Sequence, residues 1–522
     1  MFSKVSHIFS YLKPYKTKAN EDEFINLNKL NWKDEVEPNG FCLIEGHITC
    51  PASIVDKSRI AKAIQESTGA VPVVYLRGFY PKANDVSAIY NSFKINNFYM
   101  WWKGFLKPKV FFPAFWETIK LIFKIKNGEN LIQLKCKDVL IGDLIYDTLI
   151  RFKPNTYTIN EIKMTHYRLI FRAFLTFYNN QEMLRRYRPK YLVTSHNVYA
   201  EFGMLPRQLK KFNNGVVFLK DIYAYKCYGD ELDIQEHFLK PSLNQFKENL
   251  NSKEFIASSK MYFDARMKGT IDQIDVKNAF LNKKSYRTED LKEIYPSIDL
   301  HKKNVVVMSH AFSDAPHVGE GLLFKDYYDF LEKTLIYLNN NNTVNSFVKA
   351  HPSSYMWNEK GAVEELIEKN KLNNIYILPN DFNSSSILDV ADSIVTAKGT
   401  AGLEFSCSGI PAITAGKGYY YGFGITYEPE SIEEYYQLLD KLSSTPKLNE
   451  EKINKALVLL YMVATSRRHS KVLPKSHIMP GENYQDVYLD KYAEMIENMK
   501  NGVPMKDEFY AEIKADVEKN HV

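Results

Sequence analysis

The turn Lys398-Gly399-Thr400-Ala401-Gly402 lies between an apolar run ending at Ala397 and a helix expected from Leu403 to Gly409. Such a turn aims backbone N–H groups and the positive end of a helix beyond the strand, a field that suits a phosphate. Gly399 and Gly402 permit close backbone approach, and Glu404, one turn in, is placed to accept hydrogen bonds from ribose hydroxyls. A second motif, Lys349-Ala350-His351-Pro352-Ser353-Ser354, also closes a strand. Pro352 stops that strand and holds His351 at the sheet edge, where an imidazole can bind a phosphate oxygen or protonate a leaving group. Lys349 adds charge if it faces the same way, and Pro352 and Ser353 complete the donor-binding set on this strand.

A third loop, Ser309 to His317, carries His310 and Asp314. Its histidine spacing does not match a usual zinc site, so no metal is expected; contacts to sugar or nucleotide are one reading and loop-structuring hydrogen bonds the other. In the first half, Asp143 within Gly142–Asp147, and His196 and Glu201 within Thr194–Glu201, follow β-rich runs. A general base for an acceptor hydroxyl would sit at such strand ends. Asp143 can equally cap the helix that follows it.

These motifs need a scaffold that gathers strand ends. Residues 41–46, 71–76, 138–142, 191–195 and 215–219 are short β-rich runs separated by helix-length stretches. In the second half, runs at 305–310, 344–352, 374–379, 393–399 and 410–416 alternate with helical patterns such as 324–338 and 362–370. Each strand is followed by a loop containing His, Asp, Gly or Ser, where an open parallel sheet takes its ligand. The fold class is therefore α/β. The expected division is a first domain over 1–285, a second over 286–450, and C-terminal helices over 451–522 that pack back on the first.

At 522 residues two large domains are expected, and no stretch of 18 or more apolar residues suggests a membrane span. The first residues lack a secretory leader pattern, which points to the cytoplasm. Five cysteines without CxxC spacing indicate neither a disulfide framework nor a zinc site. Of the formal net charge of +6, residues 98–126 supply +5, from six lysines against Glu117, interleaved with ten aromatic residues. That mixture suits a lipid headgroup layer, so peripheral docking on the inner membrane face is one expectation. Packing of the aromatics on the domain's own core is the other. No RNA-binding signature accompanies the segment, and no nucleic-acid partner is expected.

The stretch from VVVMSHAFSDAPH through VKAHPSS to TAKGTAGLEFSCSGIPAITAG and GYYYGFGITYEPESIEEYYQLL resembles the capsule polysaccharide biosynthesis family, which includes capsule Kdo transferases. GDLIYD and VTSHNVYAEFGMLPR in the first half are also similar to it. The resemblance implies a GT-B architecture: two Rossmann-like domains facing a cleft, with the nucleotide-sugar donor in the second, the acceptor in the first and usually no catalytic metal or cofactor. It places His351 and Pro352 on the family's HP pair, and Gly399, Thr400, Gly402 and Glu404 on its donor-binding turn and helix. The implied function is glycosyl transfer from a CMP-Kdo-like or other nucleotide sugar to a glycan or lipid-linked glycan. Transfer of a polyol phosphate from a CDP-linked donor, or a non-catalytic sugar-binding role in an assembly complex, are the alternatives.

Overall fold

The computed structural model describes the chain except for residues 1–17, 33–35, 78–79, 154–155, 222–223, 272–275, 277–278, 281–282, 320, 353, 467–469, 475–483 and 521–522. Its strands are β1 (Phe41–Glu45), β2 (Val71–Leu76), β3 (Asn97–Met100), β4 (Lys135–Cys136), β5 (Val139–Leu140), β6 (Tyr191–Thr194), β7 (Val216–Lys220), β8 (Tyr225–Tyr228), β9 (Lys303–Met308), β10 (Val344–Lys349), β11 (Ile375–Ile377), β12 (Ser393–Thr396) and β13 (Ala412–Thr414).

Two sheets organise the molecule. The first has the order β3-β2-β1-β6-β7-β8, parallel except for the antiparallel edge strand β8. The second, β11-β10-β9-β12-β13, is wholly parallel. Their strands are nearly all apolar because helices cover both faces, and β9 shows this with Val305, Val306 and Val307 fully buried. In the first domain, one face is covered by helix Pro51–Thr68 and the C-terminal helices Tyr484–Lys500 and Glu508–Lys519. Helices Gly142–Phe152, Tyr167–Tyr187 and Tyr199–Asn213 lie on the other side. Two Rossmann-like domains joined in this way define a GT-B architecture.

Strand order fixes where ligands belong. In each sheet the chain reverses its direction of winding once, between β1 and β6 and between β9 and β12. A crevice opens at such a point beyond the carboxyl ends of the two strands. Both reversals are spanned by a side chain: Ser195, after β6, donates to the Glu45 carboxylate of β1, and the Lys398 N–H, after β12, donates to His310 after β9.

Three sequence expectations differ from the structure. The run at 138–142 is no strand of the main sheet; Val139–Leu140 pairs antiparallel with Lys135–Cys136, and Gly142 already starts a helix. The main-sheet strands β3 and β8 take its place, one of them inside the basic aromatic segment. The expected boundary near 285 also differs. Helices Leu243–Leu250 and Lys253–Met267 pack on helix Glu450–Thr465, in a cluster with Leu403, Tyr420 and Phe423 of the second domain. Thus the chain changes domain after β8, and among the described residues after 450 helix Glu450–Thr465 stays with the second domain while Val472, Leu473 and the last two helices pack on the first. The apolar faces of these helices decide it, because each buries its stripe on its partner wherever the chain crosses.

Candidate active site

The second-domain crevice is built from three adjacent strand ends. His310 follows β9, His351 and Pro352 follow β10, and Gly399, Thr400 and Ala401 follow β12; all line one cavity of about 190 Å³, together with Lys349, Arg266 and Glu404. The N–H groups of Gly399, Thr400 and Ala401 find no acceptor among the described residues, whereas those of Gly402, Leu403 and Glu404 bond back to Gly399 and Thr400. The helix here is shorter than expected, Ala401–Ser406. Close packing explains both glycines. A Cβ on Gly399 would lie 2.9 Å from the Thr396 hydroxyl, and one on Gly402 would lie 2.6 Å from the Tyr420 hydroxyl. That hydroxyl in turn donates to the Gly399 carbonyl at 2.8 Å and fixes the turn.

His310 is stacked on Tyr327 with ring centroids 4.0 Å apart, and its Nε2 accepts the Lys398 N–H at 3.2 Å. Burial, with His351 and Lys398 nearby, pushes its pKa down to about 3, so the ring is neutral. Burial and then Lys349 bring His351 down to about 4, and it too is a neutral donor or acceptor at pH 7. Lys349 is lowered to about 8 by burial, and its ammonium donates to the Phe382 carbonyl at 3.2 Å. A buried cation that meets the Phe382 carbonyl and ring, and no carboxylate among the described residues, favours an incoming anion.

Glu404 meets Arg266 at 3.0 Å. Sequence reading missed Arg266, since it comes from helix Lys253–Met267, 138 residues away. Lys398 departs from expectation, since its ammonium turns from the crevice to donate to the Val318 carbonyl at 2.8 Å. Asp314 lies outside the crevice as well, at the domain seam, where its charged neighbours are Arg151, Glu359 and Asp147. Asp314 lies at the exposed surface, but desolvation by the protein packed around its carboxyl, with Glu359 and Asp147 adding and Arg151 opposing, raises its pKa to about 6. Ser353 falls outside the described residues.

The first-domain candidates are separated by the structure. Asp143 is clamped by both terminal nitrogens of Arg207 at 2.7 Å, which commits its carboxylate to holding helices together. Glu201 is ringed by His47 at 2.9 Å, Arg77 at 3.0 Å and Arg172 at 3.7 Å. Burial alone would raise its pKa, but the His47 contact and the two arginines outweigh it and hold the group down, which makes it a weak base. His196 follows β6 and meets the Phe202 ring edge-on with centroids 5.4 Å apart, and desolvation by the protein around it lowers its pKa.

The two domains touch around this region. His317 Nδ1 contacts Asp147 Oδ1, Tyr146 donates to Asp326, and the Tyr199 hydroxyl donates to the Ser313 carbonyl at 3.3 Å. Among the described residues there is no group of three or more His, Cys, Asp or Glu that could hold a metal ion. No described helix is long and apolar enough to cross a membrane.

Two Rossmann-like domains, the second with a polar crevice at its strand-order reversal, define a two-domain α/β protein of GT-B architecture. The chain belongs to the capsule polysaccharide biosynthesis protein family, whose pattern matches residues 184–465. It is similar in structure to the β-Kdo 2,7 transferase of Thermosulfurimonas dismutans KpsC, at 16% identity over 65% of this chain and 97% of that one, with a TM-score of 0.32. The β-Kdo 2,4 transferase of the same protein is similar at 12% identity over 53% and 87%, with a TM-score of 0.31. The S. aureus MnaA–UDP structure is similar at 10% identity over 82% and 92%, with a TM-score of 0.27. Likeness at this level carries no residue-by-residue argument. No curated protein matches the chain.

Proposed function

We propose that the chain is a glycosyltransferase of capsule polysaccharide synthesis. It takes a nucleotide-activated sugar in the second-domain crevice and transfers the sugar to a glycan or lipid-linked glycan held by the first domain. The observation that carries this reading is the convergence of His351 with the free N–H groups of Gly399, Thr400 and Ala401 in one cavity at a strand-order reversal. In the transfer, the acceptor oxygen bonds to the anomeric carbon, the bond from that carbon to the phosphate breaks, and its electron pair stays on the phosphate. N–H donors and a neutral His351 stabilise that charge without needing a metal, and Lys349 strengthens the field. Glu404, oriented by Arg266, fits ribose hydroxyls. Asp314, with its pKa of about 6, is the carboxylate whose surroundings best suit taking the acceptor proton at the seam.

The segment 98–126 supports docking at the inner leaflet. Tyr99 and Trp101 are buried in the core, but helix Pro108–Lys124 packs through Val110, Ala114, Thr118 and Leu121 and leaves Phe112 66%, Trp116 59% and Phe123 76% exposed. Lysines at 103, 107, 109, 120, 124 and 126 accompany that face in the sequence, with Lys107 and Lys109 paired to Glu182 and Lys120 to Glu117. Loss of sedimentation with anionic vesicles on replacing these lysines by glutamine is the expected result; unchanged sedimentation removes the membrane part of the reading.

Thermal-shift measurements with CMP, CDP, UDP and GDP test the central reading. One nucleotide should stabilise the protein, with His351→Ala and Glu404→Gln abolishing the shift; Glu404→Gln also takes the carboxylate partner from Arg266 and should lower the unliganded melting temperature. If no nucleotide binds, the proposal fails. Asp314→Asn should slow transfer and leave nucleotide binding intact.

A further inference from the structure

We infer that Arg77 and Arg172 form a subsite in the first domain that recognises an anionic group, a carboxylate or a phosphate, on the acceptor. This rests on the reading of the first domain as the acceptor side. Arg77 directly follows β2, His47 lies two residues beyond β1, and Glu201 stands in the first turn of the helix after β6. Arg172 reaches the same place from helix Tyr167–Tyr187. The group therefore sits at the carboxyl edge of the first sheet, beside the reversal between β1 and β6, where a parallel sheet takes its ligand.

The charge at this place is not balanced. Both arginines approach the same oxygen, Glu201 Oε2, at 3.0 and 3.7 Å, and Glu201 is the one carboxylate in ion-pair distance of either among the described residues. Two permanent cations thus share a single negative charge. Each guanidinium presents five N–H donors in a planar fork, of which Glu201 uses few. The arginine side chains are 47% and 50% exposed, whereas Glu201 is 15% exposed, so the carboxylate works from below and the unused forks face solvent. Planar forks of this kind bind carboxylate and phosphate through paired hydrogen bonds.

A separate observation at the same place shows unused polar capacity. His47 is nine-tenths buried and walled by the rings of Tyr75, Trp101 and Phe202 at 5.1, 4.8 and 6.0 Å. Its Nε2 has no hydrogen-bond partner among the described residues. The protein has buried an imidazole beside two arginines and left one of its nitrogens unsatisfied, which costs stability unless a ligand group meets it.

Position relates the subsite to both of its neighbours. Tyr199, two residues before Glu201, makes the hydrogen bond to Ser313 across the seam, so the arginines lie next to the second domain's approach. On the other side, Phe171, adjacent to Arg172, packs on Phe111 and Phe115 of the exposed aromatic helix with centroids 5.5 and 6.5 Å apart. An acceptor arriving along that helix meets the arginine pair before the seam.

The test compares the full chain with the R77Q/R172Q double variant, by calorimetric titration with glucuronate and glycerol 1-phosphate and with their neutral counterparts, glucose and glycerol. At least one anionic probe should bind the wild-type chain more tightly than its neutral counterpart and lose about tenfold or more in affinity in the variant, as for loss of a charge-assisted pair. Glucuronate alone responding identifies a sugar carboxylate, and glycerol 1-phosphate alone a phosphate. Equal binding of charged and neutral probes, or unchanged binding in R77Q/R172Q, overturns the inference. The variant should keep the wild-type melting temperature, because both side chains are half exposed. Nucleotide thermal shifts on the same two proteins separate the two readings: loss of every nucleotide response in the wild type sinks the transferase reading while the anion result still stands or falls by itself.

Discussion

His317 of the second domain places its Nδ1 2.6 Å from Asp147 Oδ1 of the first, while its Nε2 lies 2.9 Å from the Lys325 carbonyl. The Lys325 carbonyl only accepts, so Nε2 carries a proton, and beside an ionised Asp147 Nδ1 carries one too; burial works against that ionised state and raises the Asp147 pKa, with His317 opposing. Burial opposes that charge, yet Asp147, with Asp143 farther off, outweighs burial and Lys398 and keeps the His317 pKa above its usual value. The domain seam is thus closed by a cation on one side and an anion on the other.

Raising the pH should loosen this seam. A histidine whose pKa is raised by folding adds stability that is fully present below the unfolded pKa, near 6.5, and is lost as pH climbs through the higher folded value. Small-angle scattering between about pH 6 and about pH 9 should show the radius of gyration increasing, and Asp147→Asn should show the larger value at every pH. Removing one member of the buried pair should also cost about 3–5 kcal/mol of unfolding free energy.

Gly402→Ala should cost nucleotide binding without unfolding the protein. The added methyl would press on the Tyr420 hydroxyl at 2.6 Å, and that hydroxyl holds the Gly399 carbonyl in place. Restoration of part of the nucleotide thermal shift in the double variant G402A/Y420F would confirm the steric route; no restoration would point to strain in the turn itself.

Acid should destabilise the chain above the ordinary carboxylate range, although Asp314, raised to about 6, takes up its proton in the same window and opposes part of the loss. His310 and His237 fall to about 3, and His351 to about 4, each chiefly through burial. Between these values and 6.5 the unfolded chain binds protons that the folded chain refuses, so stability falls with pH at up to about 1.4 kcal/mol per unit for each group. Melting temperatures measured from about pH 7 down to about pH 5 should decline steadily. A flat profile would place these rings in contact with water.

Glu45→Gln should be among the most damaging changes in the first domain. The carboxylate accepts from the N–H groups of His47 and Ile48, from Lys57 at 2.7 Å and from the Ser195 hydroxyl. Burial alone would raise its pKa, but Lys57 and His47 lead the groups that bring it down to about 2. The neutral amide would leave the buried Lys57 charge uncompensated, a loss of about 3–5 kcal/mol that chemical denaturation would read directly.

By itself, the sequence determined what is local in this protein. The alternation at 305–310, 344–352, 374–379, 393–399 and 410–416 marks all five strands of the second sheet, because a buried parallel strand needs an unbroken apolar run and its terminus needs a turn residue. The same logic places His351 and Gly399 at strand ends. It misread 138–142, since two apolar residues look alike in a hairpin and in a sheet. Tertiary structure alone decided which groups share a site: that Arg266 meets Glu404, that Lys398 turns to Val318, and that Arg77, Arg172 and His47 surround Glu201. Those partners lie from 29 to 154 positions apart in the chain for Glu201, and 138 apart for Glu404. Periodicity and motif spacing carry no signal over such distances, because contacts between them arise only when whole helices and sheets bury their apolar faces together.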